Sequence, residues 1–174
     1  MTMKPTVTIY EFKIDTARIA EALYVPEALV VEAFGDGRVA SRWSEHWGAR
    51  VADLHKAQNT NNAGFDLSTR VSSADISVSS KCLSHAGVKF QESKYQGSGR
   101  TCTVDDLLDS LEKVELFQIT DITLIPTVRI MTVHSRFLRE EVRERRLGPT
   151  GWKANSFYNF LHRTYDTEVA QVTP

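Results

Sequence analysis

The sequence predicts an α/β domain in which helices flank a central mixed β-sheet, with a short helical prefix in front. Three observations predict it. Residues 65–71 and 76–81 alternate polar with apolar side chains, the apolar stretch at 117–133 has room for two more strands, and segments with helical spacing stand before, between and after them. The 174 residues are read as one domain over 1–174: a helical prefix at 1–40, a sheet core with its helices at 41–161 and a tail at 166–174.

Taken in order, Asp15 can cap a helix carrying Ile19 and Leu23, and Pro26 fits the first turn of a second helix through Leu29, Val30 and Phe34. This pair has helix-turn-helix spacing, but the second helix offers Glu27 and Glu32 and no side chain suited to a base edge, so a plain helical hairpin is expected. After Gly35-Asp36-Gly37, Ser41 or Ser44 caps a third helix with Trp43, Trp47, Val51 and Leu54 on one stripe and Glu45 off it.

Phe65, Leu67, Thr69 and Val71 then alternate with Asp66, Ser68 and Arg70. After the short link Ser72-Ser73-Ala74, Ile76, Val78 and Ser80 face one way, and Asp75, Ser77, Ser79 and Lys81 the other. The two runs predict an antiparallel hairpin. Thr103 caps a helix with Leu107, Leu108, Leu111 and Val114 inward, and Pro126 divides FQITDITLIPTVRIMTV into two strands. Ser135 starts an Arg/Glu-rich helix ended by Gly148-Pro149, and Asn155 caps a last one that buries Phe157, Phe160 and Leu161.

Composition narrows the function classes. The chain is 41% hydrophobic and 25% charged, with 21 Lys+Arg against 22 Asp+Glu, which excludes a disordered tail, a fibre and a disulfide scaffold. No run of about 18 apolar residues is present to span a membrane. The start MTMKPTVTIYEFKID lacks the basic-then-apolar pattern of a secretory signal, so an intracellular protein with Cys82 and Cys102 as thiols is expected. The near-neutral total conceals two basic stretches, 81–101 and 129–153, separated by an acidic one at 102–121, a pattern that can make a one-sided phosphate-binding surface. No zinc pattern, P-loop or dinucleotide-binding glycine motif occurs.

Asp66 and Lys81 stand on the polar faces of neighbouring strands, 15 positions apart, so their side chains can converge on one side of the sheet. A cross-strand ion pair is one outcome. The other is metal-assisted phosphodiester cleavage, in which the acid binds Mg²⁺, the metal polarises the phosphate and activates water, and the lysine orients that water or offsets developing charge.

Over residues 41–161, the helix with SEHWGARVADL, the polar turn QNTNNAG, FDL, ISVSSK, the linker GVKFQESKYQGSGR and the later strands together resemble the PD-(D/E)XK nuclease superfamily, the fold of most type II restriction endonucleases. The resemblance implies that Asp66 is the first metal-binding acid, Lys81 the lysine and Glu45 the acid of the preceding helix. It departs at Ser79, where the family has Asp or Glu. The Ser80 backbone carbonyl can still coordinate the metal. Some restriction enzymes with a serine there supply the acid from the following helix, and Glu92, 11 positions beyond Lys81, is placed to do so.

Lys89, Gln91, Lys94, Tyr95, Gln96, Ser98 and Arg100 combine cations, amides and an aromatic ring around Gly97-Ser98-Gly99 and are expected to contact DNA, with His85 nearby as a weaker candidate. The expectation is therefore a Mg²⁺-dependent, sequence-specific deoxyribonuclease acting on double-stranded DNA as a homodimer. The alternatives are a catalytically inactive DNA-binding or phage/plasmid accessory protein on the same fold, and a repair or recombination nuclease.

Overall fold

The computed structural model describes residues 3–52, 54–56, 66–71, 74–95 and 99–173. Its elements run β1 (Thr6–Lys13), α1 (Thr16–Leu23), α2 (Glu27–Gly35), α3 (Gly37–Val51), β2 (His55–Lys56), β3 (Leu67–Val71), β4 (Ala74–Leu83), α4 (Val104–Glu112), β5 (Leu116–Leu124), β6 (Thr127–His134), α5 (Ser135–Arg143), α6 (Ala154–Thr164) and β7 (Asp166–Gln171). One mixed seven-stranded sheet has the order β2-β3-β4-β5-β6-β1-β7 among the described residues. The pairs β4–β5 and β1–β7 are parallel, and the remaining neighbours antiparallel. The protein is thus an α/β domain with helices on both faces of a mixed sheet.

The predicted hairpin forms with Leu67 opposite Val78 and Thr69 opposite Ile76. Strand alternation assigns the two faces. Ser79 and Lys81 lie beside Phe117 and Ile119 on the face covered by α4, α5 and α6. Val78, Ser80 and Cys82 point the other way, toward α3. The first face holds the larger core, where Phe90, Phe117, Phe157 and Phe160 are all 1% exposed or less. On the second, Trp47 of α3 packs edge-on against Phe12.

Local chemistry explains the element ends. Asp15 accepts the Arg18 N–H at 3.0 Å and starts α1, while Thr103 and Asp106 make a reciprocal capping box at α4. Pro126, which cannot donate to a ladder, sits in the β5–β6 turn behind a cis Ile125–Pro126 bond. Tyr158 of α6 donates to Asp121 Oδ2 at 2.5 Å, and the Thr123 N–H and hydroxyl satisfy Oδ1 at 2.9 and 2.7 Å, which pins α6 to a buried acid on β5.

Several boundaries differ from expectation. The prefix is not wholly helical, since β1 occupies Thr6–Lys13, and the tail holds β7, paired in parallel to β1. The cap of α3 is Asp36, which accepts the Arg38 N–H at 2.8 Å, so Ser41 and Ser44 lie inside the helix. The helix begun at Ser135 ends at Arg143, before Gly148-Pro149, and Asn155 sits in the first turn of α6, whose N-cap Lys153 makes no side-chain capping hydrogen bond. No helix of the described residues is long and apolar enough to cross a membrane.

Candidate functional site

The ten residues of β4 outrun the five of β3. Past Val78, β4 keeps β5 on one side, and no described strand pairs with the other. Asp66, just ahead of β3, places its carboxylate against this open edge. Its Oδ2 accepts the Ser80 backbone N–H at 2.8 Å and the Ser79 hydroxyl at 3.3 Å. The N–H and C=O of one strand residue leave by the same edge, so the Ser80 carbonyl shares the edge with the Asp66 carboxylate. Ser79, standing where an acid was expected, is a donor that holds Asp66.

Lys81 lies two residues along the same face, and its ammonium donates to the Gln91 carbonyl at 3.2 Å. Burial pushes its pKa below the usual lysine value, against the pull of the Asp66 and Glu92 charges. The Glu92 N–H donates to the Ser110 hydroxyl of α4 at 3.4 Å. The Glu92 carboxylate takes ion pairs from Lys113 and, at 3.4 Å, from Lys94. Burial opposes its ionisation, but Lys113 and then Lys94 outweigh this and hold its pKa below the usual range.

A cleft of about 900 Å³ gathers these groups. Asp66, Ser80, Lys81, Lys89, Glu92 and Glu45 all line it, the last from α3. So do Arg38 and Arg42, which the sequence reading passed over. Positions 38, 42 and 45 share one face of a helix, a periodicity visible in the sequence once Asp36 is taken as the cap.

Comparison with protein-family models, with curated proteins and with solved structures finds no match. The cleft is therefore interpreted from its own chemistry. Mg²⁺ takes hard oxygen ligands and is commonly held by one or two carboxylates together with substrate phosphates and water. The Asp66 carboxylate and the Ser80 carbonyl, on one edge and facing an open cleft, fit that demand. Among the described residues no three His, Cys, Asp or Glu side chains converge into a ready-made metal cluster, in keeping with Glu92 being drawn to its lysines.

The expected DNA-contacting segment is divided. Lys89 is exposed on the cleft wall. Gln91 is corrected as a base reader: its side chain is 3% exposed, and its backbone carbonyl holds Lys81 instead. Lys94 lies over the Tyr95 ring at 4.8 Å while paired with Glu92. Arg100 donates to the carbonyls of Ser93 and Lys94 at 3.4 and 3.2 Å, bracing the turn. Gln96, Gly97 and Ser98 lie outside the described residues, and His85 is exposed.

Proposed function

We propose that the chain is a Mg²⁺-dependent endonuclease that hydrolyses phosphodiester bonds in duplex DNA, sequence-specifically in the manner of type II restriction enzymes. One observation carries this reading. Asp66, bonded to the Ser80 N–H at the open edge of β4, and Lys81 line one cleft, which Glu45 and Glu92 line as well. The order of helix, hairpin, linker, helix and further strands supports the same reading.

Asp66 and the Ser80 carbonyl would hold the metal, with Glu92 as the further acid once phosphate competes for its lysines. Bound there, Mg²⁺ supplies polarisation of the scissile phosphate and a more acidic attacking water. Lys81 places a positive charge beside Asp66, where it orients that water and offsets charge developing on the phosphate. Arg38, Arg42 and Lys89 supply cations for the flanking phosphates, and Arg38 gives up its exposed pair with Asp36 to do so. A chain of this size has little surface for a long site, so a homodimer on a symmetric sequence is the economical assembly.

Incubation of mixed plasmid and phage DNA with Mg²⁺, and with EDTA, tests the proposal. Discrete fragments with Mg²⁺ alone are the expected result. A specific observation favours a second reading, a DNA-binding or accessory protein without catalysis: Ser79, where the family the sequence resembles has an acid, donates to Asp66, and Glu92 is neutralised by two lysines. That protein would shift duplex DNA equally in Mg²⁺ and EDTA and cut neither. Cleavage confined to branched DNA would instead indicate a repair or recombination nuclease.

A further inference from the structure

Behind the cleft, on the α3 face of β5, Gln118 is 0% exposed, at a position where an apolar side chain would pack without desolvating an amide. Its Nε2 donates to the Ser44 carbonyl of α3 at 2.8 Å, to Thr120 Oγ1 at 3.1 Å and toward Ser80 Oγ at 3.4 Å. The Ser44 carbonyl fixes which way the amide points, since the reversed amide would set two acceptors against each other. In this orientation Oε1 is buried and accepts no hydrogen bond from a described residue, an unusual condition for a buried acceptor.

The helix makes a matching concession. A Cβ at Gly48 would lie 1.5 Å from Gln118 Oε1 and 2.4 Å from Cδ, so α3 carries glycine where the amide passes. A glycine inside a helix and an orphaned carbonyl are each unfavourable alone. Together they accommodate one thing, the Gln118 donor group.

That group begins a one-way chain. Gln118 Nε2 can only donate and the Ser41 carbonyl can only accept. The hydroxyls between them therefore run from Ser80 to Ser44, at 2.7 Å, and from Ser44 to Ser41 O, at 3.2 Å. Both serines border the cleft machinery. The backbone N–H of Ser80 holds Asp66, and Ser44 precedes Glu45 on α3.

We propose that Gln118 is a positioning residue: from behind the sheet it ties α3 to the open edge of β4 and so sets Glu45 against the Asp66 and Ser80 edge. The role rests on the endonuclease reading.

The test compares the parent chain with Gln118→Met, which keeps length and loses the donors, and with the milder Ser44→Ala. Two quantities are read: the Mg²⁺ dependence of plasmid cleavage and the alkylation rate of Cys82, followed by peptide mapping. Cys82 shares the Ser80 face and touches Ser44, while Cys102 in the same chain is the reference. In Gln118→Met the Mg²⁺ concentration for half-maximal rate should rise at least about fivefold, a loss of roughly 1 kcal/mol in metal binding, with KM for DNA held within about twofold. Cys82 should label at least about fivefold faster and Cys102 unchanged, and Ser44→Ala should shift both the same way by less. Loss of folded protein alone would lower the rate without moving the Mg²⁺ midpoint. An unmoved midpoint in both variants, whatever Cys82 does, overturns the positioning role. A parent chain that cuts nothing overturns the endonuclease reading and the site-setting role with it, and the Cys82 rate then decides whether Gln118 ties α3 to β4 at all.

Discussion

The Asp66 carboxylate does for Ser80 what a neighbouring strand would do: it takes the Ser80 N–H at 2.8 Å just where β3 has ended. Asp66→Asn keeps an acceptor at that position and removes the charge. Cleavage should fall about a hundredfold or more, as expected when several kcal/mol of metal-derived stabilisation is lost. The melting temperature should stay within about 3 °C, because the site is exposed and water can replace the bond. Kinetics and a thermal melt on the same preparation check both halves.

Lys81 sets an alkaline limit. Its folded pKa lies below the ordinary 10.5, with burial as the chief cause. The ammonium is the form that offsets phosphate charge, so the cleavage rate should fall as pH rises through that depressed pKa, with a midpoint below 10.5. The stability effect has the opposite sense. Between the folded pKa and 10.5 the unfolded chain binds more protons, so the Lys81 contribution to stability rises with pH across that window. Lys81→Gln should remove the alkaline limb along with most of the rate, and a pH–rate profile of the two proteins decides it.

Glu92 is held by Lys113 and Lys94. If it completes the metal site, Glu92→Ala abolishes cutting while DNA binding in Ca²⁺ stays equal or tightens, since a carboxylate near phosphate is gone. Full cutting in that variant would move the role to Glu45 or to water ligands. Gel shifts in Ca²⁺ beside cleavage in Mg²⁺ separate these outcomes.

Gly48→Ala sets a methyl group 1.5 Å from the Gln118 amide oxygen. The amide must move, and α3 with it, so the overpacking cost of about 1–3 kcal/mol applies despite the better helix propensity of alanine. The thermal midpoint should drop by roughly 2–10 °C. The double variant with Gln118→Met should recover part of that loss, because a flexible side chain without the amide can yield.

Duplex affinity should depend steeply on salt. Each phosphate contact contributes a slope of about −0.9 in log K against log[salt], so about six contacts in a dimer cost on the order of a thousandfold between about 50 and 200 mM. Arg42→Ala and Lys89→Ala should each flatten the slope by about one contact per copy without changing sequence preference. A flat titration would exclude duplex DNA as the partner.

Much of the site was legible in the sequence because it depends on parity. Alternation alone predicts Asp66 and Lys81 on one face; the β3–β4 ladder stops at Leu67 and Val78, with Asp66 just ahead of it on the Ser79 hydroxyl and Ser80 N–H and Lys81 two residues beyond Ser79 on the same strand. What was missed had nonlocal causes. β7 presents an almost wholly exposed DTEVAQ with no apolar face, and its order comes from backbone pairing with β1, 160 positions away (Thr6 with Asp166). Taking Ser41 or Ser44 as the α3 cap left Arg38 outside the helix, so its repeat with Arg42 and Glu45 went unread. The residue type of Gln91 suggests a surface contact, whereas it follows Val88 and Phe90 into the core.

The sheet order has a consequence for biosynthesis. β1 ends at Lys13, and its first neighbour β6 begins at Thr127, so 113 residues lie between them. At about 5–20 residues per second, β1 waits roughly 6–23 s after its own synthesis before either flank can be covered. The hairpin of β3 and β4 is available once Leu83 has been made, 44 positions before β6 begins, whereas β5 ends only just ahead of β6. The nascent chain thus holds its hairpin early while β1, an apolar strand, has no neighbour. Slowing translation or depleting chaperones should strike at β1, through Val7, Ile9 and Phe12, before it disturbs the β3–β4 hairpin.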